Sequence, residues 1–121
     1  MHATPSEAHL YPLIGEELQQ ICLDPFGVQF KFDRWGLSVE FSIEHIDADG
    51  GRYLYNCNAK SGPPLVIHRL LQKSVSAVER EDLAFTLCFE DDSRLIVHTE
   101  LGPYECGQLY RLSDASGIIV F

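Results

Sequence analysis

The sequence predicts an α+β domain built mainly from antiparallel β-strands, with one short helix packed on the sheet. Residues 26–43 carry apolar side chains at alternate positions in two runs, separated by a polar break with a glycine, which is the pattern of a β-hairpin. Residues 83–97 repeat that pattern around an acidic turn. We therefore expect a curved antiparallel sheet or half-barrel, and 121 residues leave little room for a second domain.

The segment before the first hairpin shows little regular periodicity. We expect residues 1–10 to form a flexible tail and residues 11–121 to form the single domain. Residues 11–15 contain a proline and a glycine, which indicate an irregular approach. Residues 17–24 predict a strand that ends at Pro25, because proline cannot donate a hydrogen bond to a sheet ladder.

A second hairpin and the helix are expected after the first hairpin. Residues 46–51 are rich in Asp and Gly and predict a tight turn before the next strand. Residues 61–73 predict the helix, since a serine and two prolines suit its first turn and four apolar residues fall on one face. These four are Val66, Ile67, Leu70 and Leu71. Residues 107–121 predict a last hairpin.

The two halves of the strand pattern align with each other. A shift of 57 positions places apolar residues of the segment 18–32 on apolar residues of the segment 75–89. One added residue extends the match to Leu95 and Val97. Two unrelated antiparallel meanders would share the same periodicity, so two related β-meander halves and a chance match both stay open.

Composition and charge exclude several classes of protein. The chain is 45% hydrophobic and 22% charged, as in ordinary globular domains, and no apolar run approaches the roughly 18 residues of a membrane span. The first residues lack the pattern of a secretory signal, so we expect a cytoplasmic location. A formal net charge of −9 argues against nucleic acid as a partner. A basic protein surface is compatible with the acidic segments, and solvated acidic faces that maintain solubility are the alternative, so charge alone does not identify a partner.

Neither the cysteines nor the acidic runs indicate a cofactor. Cys22, Cys57, Cys88 and Cys106 are far apart in the chain, and we expect reduced thiols rather than a zinc site or disulfides. The run from Glu44 to Asp49 contains one histidine and three carboxylates, which are metal-ligand types. A calcium loop would need a closing glutamate where the chain has asparagine, so we expect a hairpin turn and no metal or cofactor there.

The most site-like motif is Pro103-Tyr104-Glu105, because a hydroxyl next to a carboxylate in a loop can bind a polar ligand or a partner peptide. The competing interpretation is structural, with Tyr104 packed at a sheet edge and Glu105 accepting backbone hydrogen bonds or pairing with an arginine. The hairpin tips are further binding candidates, since the two halves differ most there. The tip residues concerned are Trp35, Glu90, Asp91 and Asp92.

Four motifs resemble those of an uncharacterised family of small bacterial domains. They are Leu13-Ile-Gly15-Glu-Glu-Leu18, Leu70-Leu71-Gln-Lys-Ser-Val75, Phe89-Glu90-Asp91-Asp92 and Gly102-Pro103-Tyr104-Glu105-Cys106. The resemblance covers residues 13–121 and implies a shared fold, but no activity, since none is established for that family. The family usually has a serine after the glutamate of its last motif, where this chain has Cys106.

For function, the sequence favours a non-catalytic interaction module, because no nucleophile elbow, phosphate loop or dinucleotide fingerprint is present. One concrete version is an acidic, immunity-like neutraliser of a basic partner protein. The alternative is a small hydrolase or ligand-binding enzyme that uses Tyr104, Glu105 and His98. A homodimer joined through an edge strand such as residues 117–121 is a third hypothesis.

Overall fold

The residues that the structure describes form ten strands, which are arranged in two five-stranded antiparallel sheets. The strands are β1 (Gln20–Asp24), β2 (Gly27–Lys31), β3 (Trp35–Val39), β4 (Ser42–Ile46), β5 (Arg52–Asn56), β6 (Val75–Glu81), β7 (Ala84–Phe89), β8 (Arg94–His98), β9 (Gly107–Arg111) and β10 (Ile119–Val120). The computed structural model describes residues 4–57, 59–101, 105–113 and 117–121. The strand orders are β1-β2-β3-β9-β10 and β5-β4-β8-β7-β6. The predicted α+β class, built mainly from antiparallel sheet with one short helix, is confirmed.

Both sheets turn one face to a common core, because apolar residues alternate along their central strands. The core residues from these strands are Val28, Phe30, Leu37, Val39 and Leu109 in the first sheet, and Ile43, Phe85, Leu87, Phe89, Leu95 and Val97 in the second. The ring of Phe85 meets the ring of Phe121 edge to face, with 5.3 Å between their centroids. This aromatic pair joins the inner faces of the two sheets.

The first predicted hairpin is present as β2 and β3, with corrections at both ends. Phe26 is 73% exposed, because it lies in the two-residue turn between β1 and β2 rather than in the ladder. Ile43 belongs to β4 of the second sheet, since the chain crosses between the sheets after Val39. The apolar alternation in the sequence therefore extends beyond the hairpin, into the β1–β2 turn at one end and into a strand of the other sheet at the other end.

The structure also corrects the helix predicted over residues 61–73. Only a single 3₁₀ turn forms there, at Ile67–Leu70. The chain leaves this turn at Gln72, whose φ is +66°, and then pairs with the segment before β1. Because the backbone is needed for that pairing, the turn cannot extend into an α-helix. Ile67 and Leu70 are still buried, as their spacing predicts.

The short α-helix lies instead in the segment expected to be a tail. Helix α1 (Glu7–Leu10) is capped by Ser6, whose hydroxyl accepts a hydrogen bond from the backbone N–H of His9 at 3.3 Å. Leu10 is fully buried, and the Thr4 hydroxyl donates to the carbonyl of Asp82 at 2.7 Å. Residues 4–10 thus pack on the domain. Their single buried leucine leaves no periodic signal in the sequence.

The two halves of the chain have the same topology. The meander β1-β2-β3 lies in the first sheet and continues into the hairpin β4-β5, which joins the second sheet beside β8. The meander β6-β7-β8 lies in the second sheet and continues into the hairpin β9-β10, which joins the first sheet beside β3. Each half therefore contributes three strands to one sheet and two to the other.

The halves meet at a short antiparallel contact between equivalent segments. The N–H of Gly15 donates to the carbonyl of Val75 at 2.8 Å, and the N–H of Gln72, 57 positions after Gly15, donates to the carbonyl of Leu18 at 2.8 Å. The other two hydrogen bonds of the contact match in the same way, from Leu18 to Lys73 and from Val75 to Glu16, both at 3.0 Å. This two-fold pattern supports the duplication interpretation.

The segments that lead into the contact also correspond. A 3₁₀ turn at Tyr11–Leu13 precedes Gly15, just as the turn at Ile67–Leu70 precedes Gln72. Gly15 has a φ of +88°, so both equivalent residues adopt the left-handed conformation. Glycine adopts this conformation without strain, whereas glutamine does not. The two halves therefore share this backbone conformation, although the residue is glycine in one and glutamine in the other.

Replacement of Gly15 by alanine should lower the free energy of unfolding by about 1 kcal/mol, because its left-handed φ disfavours a β-carbon. The site is otherwise open, with no atom within 4 Å of the position that a β-carbon would take. The reverse replacement, Gln72→Gly, should not produce such a loss, since it removes the same strain. Urea unfolding followed by circular dichroism measures both values. Equal losses in the two variants would contradict the shared geometry.

Candidate functional site

A cleft of about 500 Å³ lies where the chain crosses between the two sheets. Five separate segments supply its lining: the β1–β2 turn, the β3–β4 crossing, the end of β5, the segment after β8 and the segment before β9. The lining residues are Phe26, Glu40, Phe41, Asn56, Glu100, Glu105 and Cys106. We call this the acidic cleft, because three of the seven lining residues that the structure describes are glutamates.

Cys106 holds two of these glutamates in place. Its carbonyl accepts a hydrogen bond from the backbone N–H of Glu40 at 2.8 Å. Its sulfur accepts one from the backbone N–H of Glu100 at 3.3 Å. The third glutamate, Glu105, accepts a hydrogen bond from the side-chain amide of Gln108 at 3.4 Å. The backbone positions of the acidic residues are thus set by the crossing and by the start of β9.

The acidic cleft is electrostatically unbalanced. Its described lining contains no lysine, arginine or histidine. Desolvation raises the pKa of the Glu40 carboxyl, and the nearby carboxylates of Glu105 and Asp24 raise it further. A bound cation would relieve this repulsion. The ring of Phe26, which is largely exposed, and the half-buried ring of Phe41 add aromatic surface that can also contact a cation.

Burial disfavours the nucleophilic thiolate form at three of the cysteines, Cys57, Cys88 and Cys106. All four are free thiols, as predicted. Burial raises the pKa of the Cys106 thiol and raises that of Cys57 to about 11, so both stay protonated at neutral pH. Burial also raises the pKa of Cys88. Cys106 therefore acts in the cleft as a hydrogen-bonding and packing group.

Of the residues predicted from the sequence as binding residues, the structure places Glu105 in the acidic cleft. It is half-buried, and the described residues give it no arginine partner. Tyr104 and Pro103 lie outside the described residues. Glu40, Glu100, Phe26 and Phe41 were not predicted. They come from three separate segments: the β1–β2 turn, the β3–β4 crossing and the segment after β8.

The candidates at the hairpin tips lie elsewhere. Trp35 begins β3 and packs against the core, with the guanidinium of Arg111 5.8 Å from its ring centroid. At the β7–β8 turn, the Asp91 carboxylate accepts hydrogen bonds from the backbone N–H and the hydroxyl of Ser93. Asp91 thereby shapes the turn. Its neighbours Glu90 and Asp92 are exposed.

His98 lines grooves on the second sheet rather than the acidic cleft. Its Nε2 atom lies 3.6 Å from the Glu44 carboxylate, which also pairs with Arg52 at 3.1 Å. Glu105 and His98, which the enzyme hypothesis uses together, therefore do not line a common cleft among those the described residues form.

The run from Glu44 to Asp49 ends β4 and enters the turn of the predicted hairpin between β4 and β5. The N–H of Asp47 donates to the carbonyl of Gly51 at 2.8 Å, and the Asp47 carboxylate pairs with Arg69. Within the described part of the chain, no group of three or more His, Cys, Asp or Glu side chains is arranged to hold a metal ion. His45 is fully buried in this region, and neither ring nitrogen has a hydrogen-bond partner among the described residues.

Burial of His45 makes stability depend on pH. Desolvation lowers its pKa below the ordinary value of 6.5 and outweighs the opposite effect of the carboxylates of Asp47, Asp91 and Asp49, while Arg69 lowers the pKa further. The unfolded chain gains a proton as the pH falls through 6.5, whereas the folded chain resists protonation. Stability should therefore fall with falling pH, by at most about 1.4 kcal/mol per unit for one proton.

Urea unfolding of the wild type between pH 7.5 and 5.5 measures this slope. The His45→Leu variant should show a flatter profile, and His68→Gln, which changes an exposed histidine, is the matched control. A second loss of stability is expected at lower pH, where Asp47 becomes protonated, because the hydrogen bond from Arg69 holds the pKa of Asp47 below its ordinary 3.8. An unchanged slope in His45→Leu would show that another group titrates.

Comparisons with protein family models, with curated proteins and with solved structures gave no match. The resemblance to the uncharacterised bacterial family therefore stays a prediction. In the described residues, no helix combines the length and the apolar character needed to cross a membrane.

Proposed function

We propose that this protein is a non-catalytic binding module whose acidic cleft receives a cationic side chain of a basic partner protein. The observation that carries this proposal is the cleft itself, in which three glutamates and two phenylalanines converge without a cation in the described lining. A lysine or arginine side chain would offset the repulsion that raises the pKa of Glu40. Its aliphatic part would lie on the aromatic rings.

The overall charge supports a protein partner of this kind. With a formal net charge of −9, the chain attracts basic surfaces over distances of about one Debye length, near 8 Å at physiological salt. Such attraction speeds association and selects against acidic partners. An immunity-like role, in which the chain neutralises a basic protein by covering its cationic surface, is the concrete form of this proposal.

The enzyme hypothesis has less support. It needs Tyr104, Glu105 and His98 in one place, yet Glu105 and His98 line different clefts. The thiol in the acidic cleft is held protonated by its raised pKa. The described lining therefore offers carboxylates for binding but no activated nucleophile for hydrolysis.

The homodimer hypothesis rests on β10, which forms one edge of the first sheet. Ile118 is exposed beside it, whereas Phe121 is buried in the core. The apolar end of the chain is thus partly used within the domain. An edge of two residues offers few hydrogen bonds to a second copy, so we place this arrangement behind binding of a basic partner.

The proposal is tested by affinity capture from the native host at low and moderate salt, followed by calorimetry with the purified partner. The double variant Glu40→Gln and Glu105→Gln should weaken binding about tenfold or more, because it removes two cleft charges. The matched control, Glu90→Gln with Asp92→Asn, removes two charges from the exposed β7–β8 turn and should change the affinity much less.

Two results would overturn the proposal. One is the absence of a basic partner at either salt concentration. The other is a loss of affinity that follows the Glu90 and Asp92 variant instead of the cleft variant, which would place binding at the acidic turn. Circular dichroism of each variant shows whether the fold is kept.

A further inference from the structure

A second groove adjoins the acidic cleft. It measures about 360 Å³ and is lined by Phe41, Ser42, Leu54, Leu83, His98 and Thr99. Phe41 also lines the acidic cleft, so the two depressions adjoin at this residue. Leu54 is 56% exposed and Leu83 is 48% exposed, although both are large apolar residues. We call this depression the leucine groove.

The leucine groove is the structural counterpart of the acidic cleft in the other half of the chain. Leu83 lies in the two-residue turn between β6 and β7, as Phe26 lies in the turn between β1 and β2, 57 positions earlier. His98 ends the meander of the second half and corresponds to Glu40, which follows the meander of the first half.

The strand registers extend this correspondence to the hairpins. Ile43 opposes Val97 in the second sheet, as Gly107 opposes Val39 in the first sheet. Ser42 in the leucine groove therefore takes the place that Cys106 has in the acidic cleft. One architecture thus forms two adjoining depressions of different chemistry. Among the described lining residues, the first has three carboxylates and the second has none.

We propose that the partner binds through an extended segment in which a lysine or arginine lies close in sequence to an apolar residue. The cationic side chain enters the acidic cleft, and the apolar side chain covers Leu83 and Leu54 in the leucine groove. This inference rests on the proposed function, because it takes the acidic cleft as the site of the cation. The carboxylates of the acidic cleft call for a cationic side chain, and the exposed leucines call for an apolar one.

Phe41 lines both the acidic cleft and the leucine groove. A segment that crosses this residue can fill both depressions at once, since consecutive residues of an extended chain advance about 3.3 Å and alternate in direction. Burial of the two leucines by an apolar side chain adds affinity at roughly 25 cal/mol per Å² of apolar area removed from water. Neither side chain alone would gain both contributions.

Fluorescently labelled peptides of glycine and serine test the proposal by anisotropy at 50 and 200 mM salt. One series carries arginine and phenylalanine one to four positions apart, and matched peptides replace the phenylalanine by serine or the arginine by glutamine. At one or more spacings, the arginine–phenylalanine peptide should bind about tenfold more tightly than either matched peptide. Higher salt should weaken only the peptides that contain arginine.

Variants of the protein assign the two contributions. Leu83→Ser should reduce the affinity for arginine–phenylalanine peptides and leave arginine–serine peptides unaffected. Leu23→Ser, which changes an exposed leucine on β1, is the matched control and should have no effect. Glu40→Gln should weaken every peptide that contains arginine.

The outcomes separate this inference from the proposed function. If arginine–phenylalanine and arginine–serine peptides bind equally, and Leu83→Ser changes neither, the role of the leucine groove is overturned while the acidic cleft stands. If no peptide with arginine binds, the proposed function fails and this inference fails with it. If the phenylalanine–glutamine peptide binds as tightly as the arginine–phenylalanine peptide, the cationic requirement is wrong.

Discussion

The antiparallel contact between residues 15–18 and 72–75 is the constraint on which both sheets depend. Its four backbone hydrogen bonds hold the segment that enters β1 against the segment that enters β6. Both meanders begin at this contact, and from there β1-β2-β3 enters the first sheet and β6-β7-β8 enters the second. The left-handed residues Gly15 and Gln72 mark the points where the chain turns into it. The fold is therefore organised around a junction of backbone groups, to which the buried Leu13 and Leu70 add apolar packing.

The same two-fold arrangement separates what the halves share from what distinguishes them. The shared part is the core, in which alternate residues of both meanders face inward. The differences lie where the chain crosses between sheets, with Glu40 and Cys106 on one side and His98 and Ser42 on the other. Burial constrains a core residue in shape and polarity, whereas a residue at the rim of a cleft can change its charge at little cost to stability.

Much of the fold was predictable from the sequence, because strand alternation is a local pattern. Phe30 and Leu37 are buried as their period predicts. Prediction failed where periodicity and long-range pairing conflict: the apolar residues around Ile67 have helical spacing, but the chain must leave the turn to form backbone hydrogen bonds with Leu18. Of the site, only Glu105 was predicted, from the motif beside it. Apart from Cys106, which follows Glu105, the other cleft residues come from segments that are far apart in the sequence and meet only in the folded chain.

The exchange of hairpins between the sheets has a consequence for folding kinetics. The pairing of β3 with β9 joins Leu37 to Leu109, and the pairing of β4 with β8 joins Ile43 to Val97. Each pairing closes a long loop before its hydrogen bonds form, so the contact order is high and folding is expected to be slow for a chain of this length. Neither half encloses a core without the other. The first sheet can therefore be completed only after the ribosome has released β9 and β10.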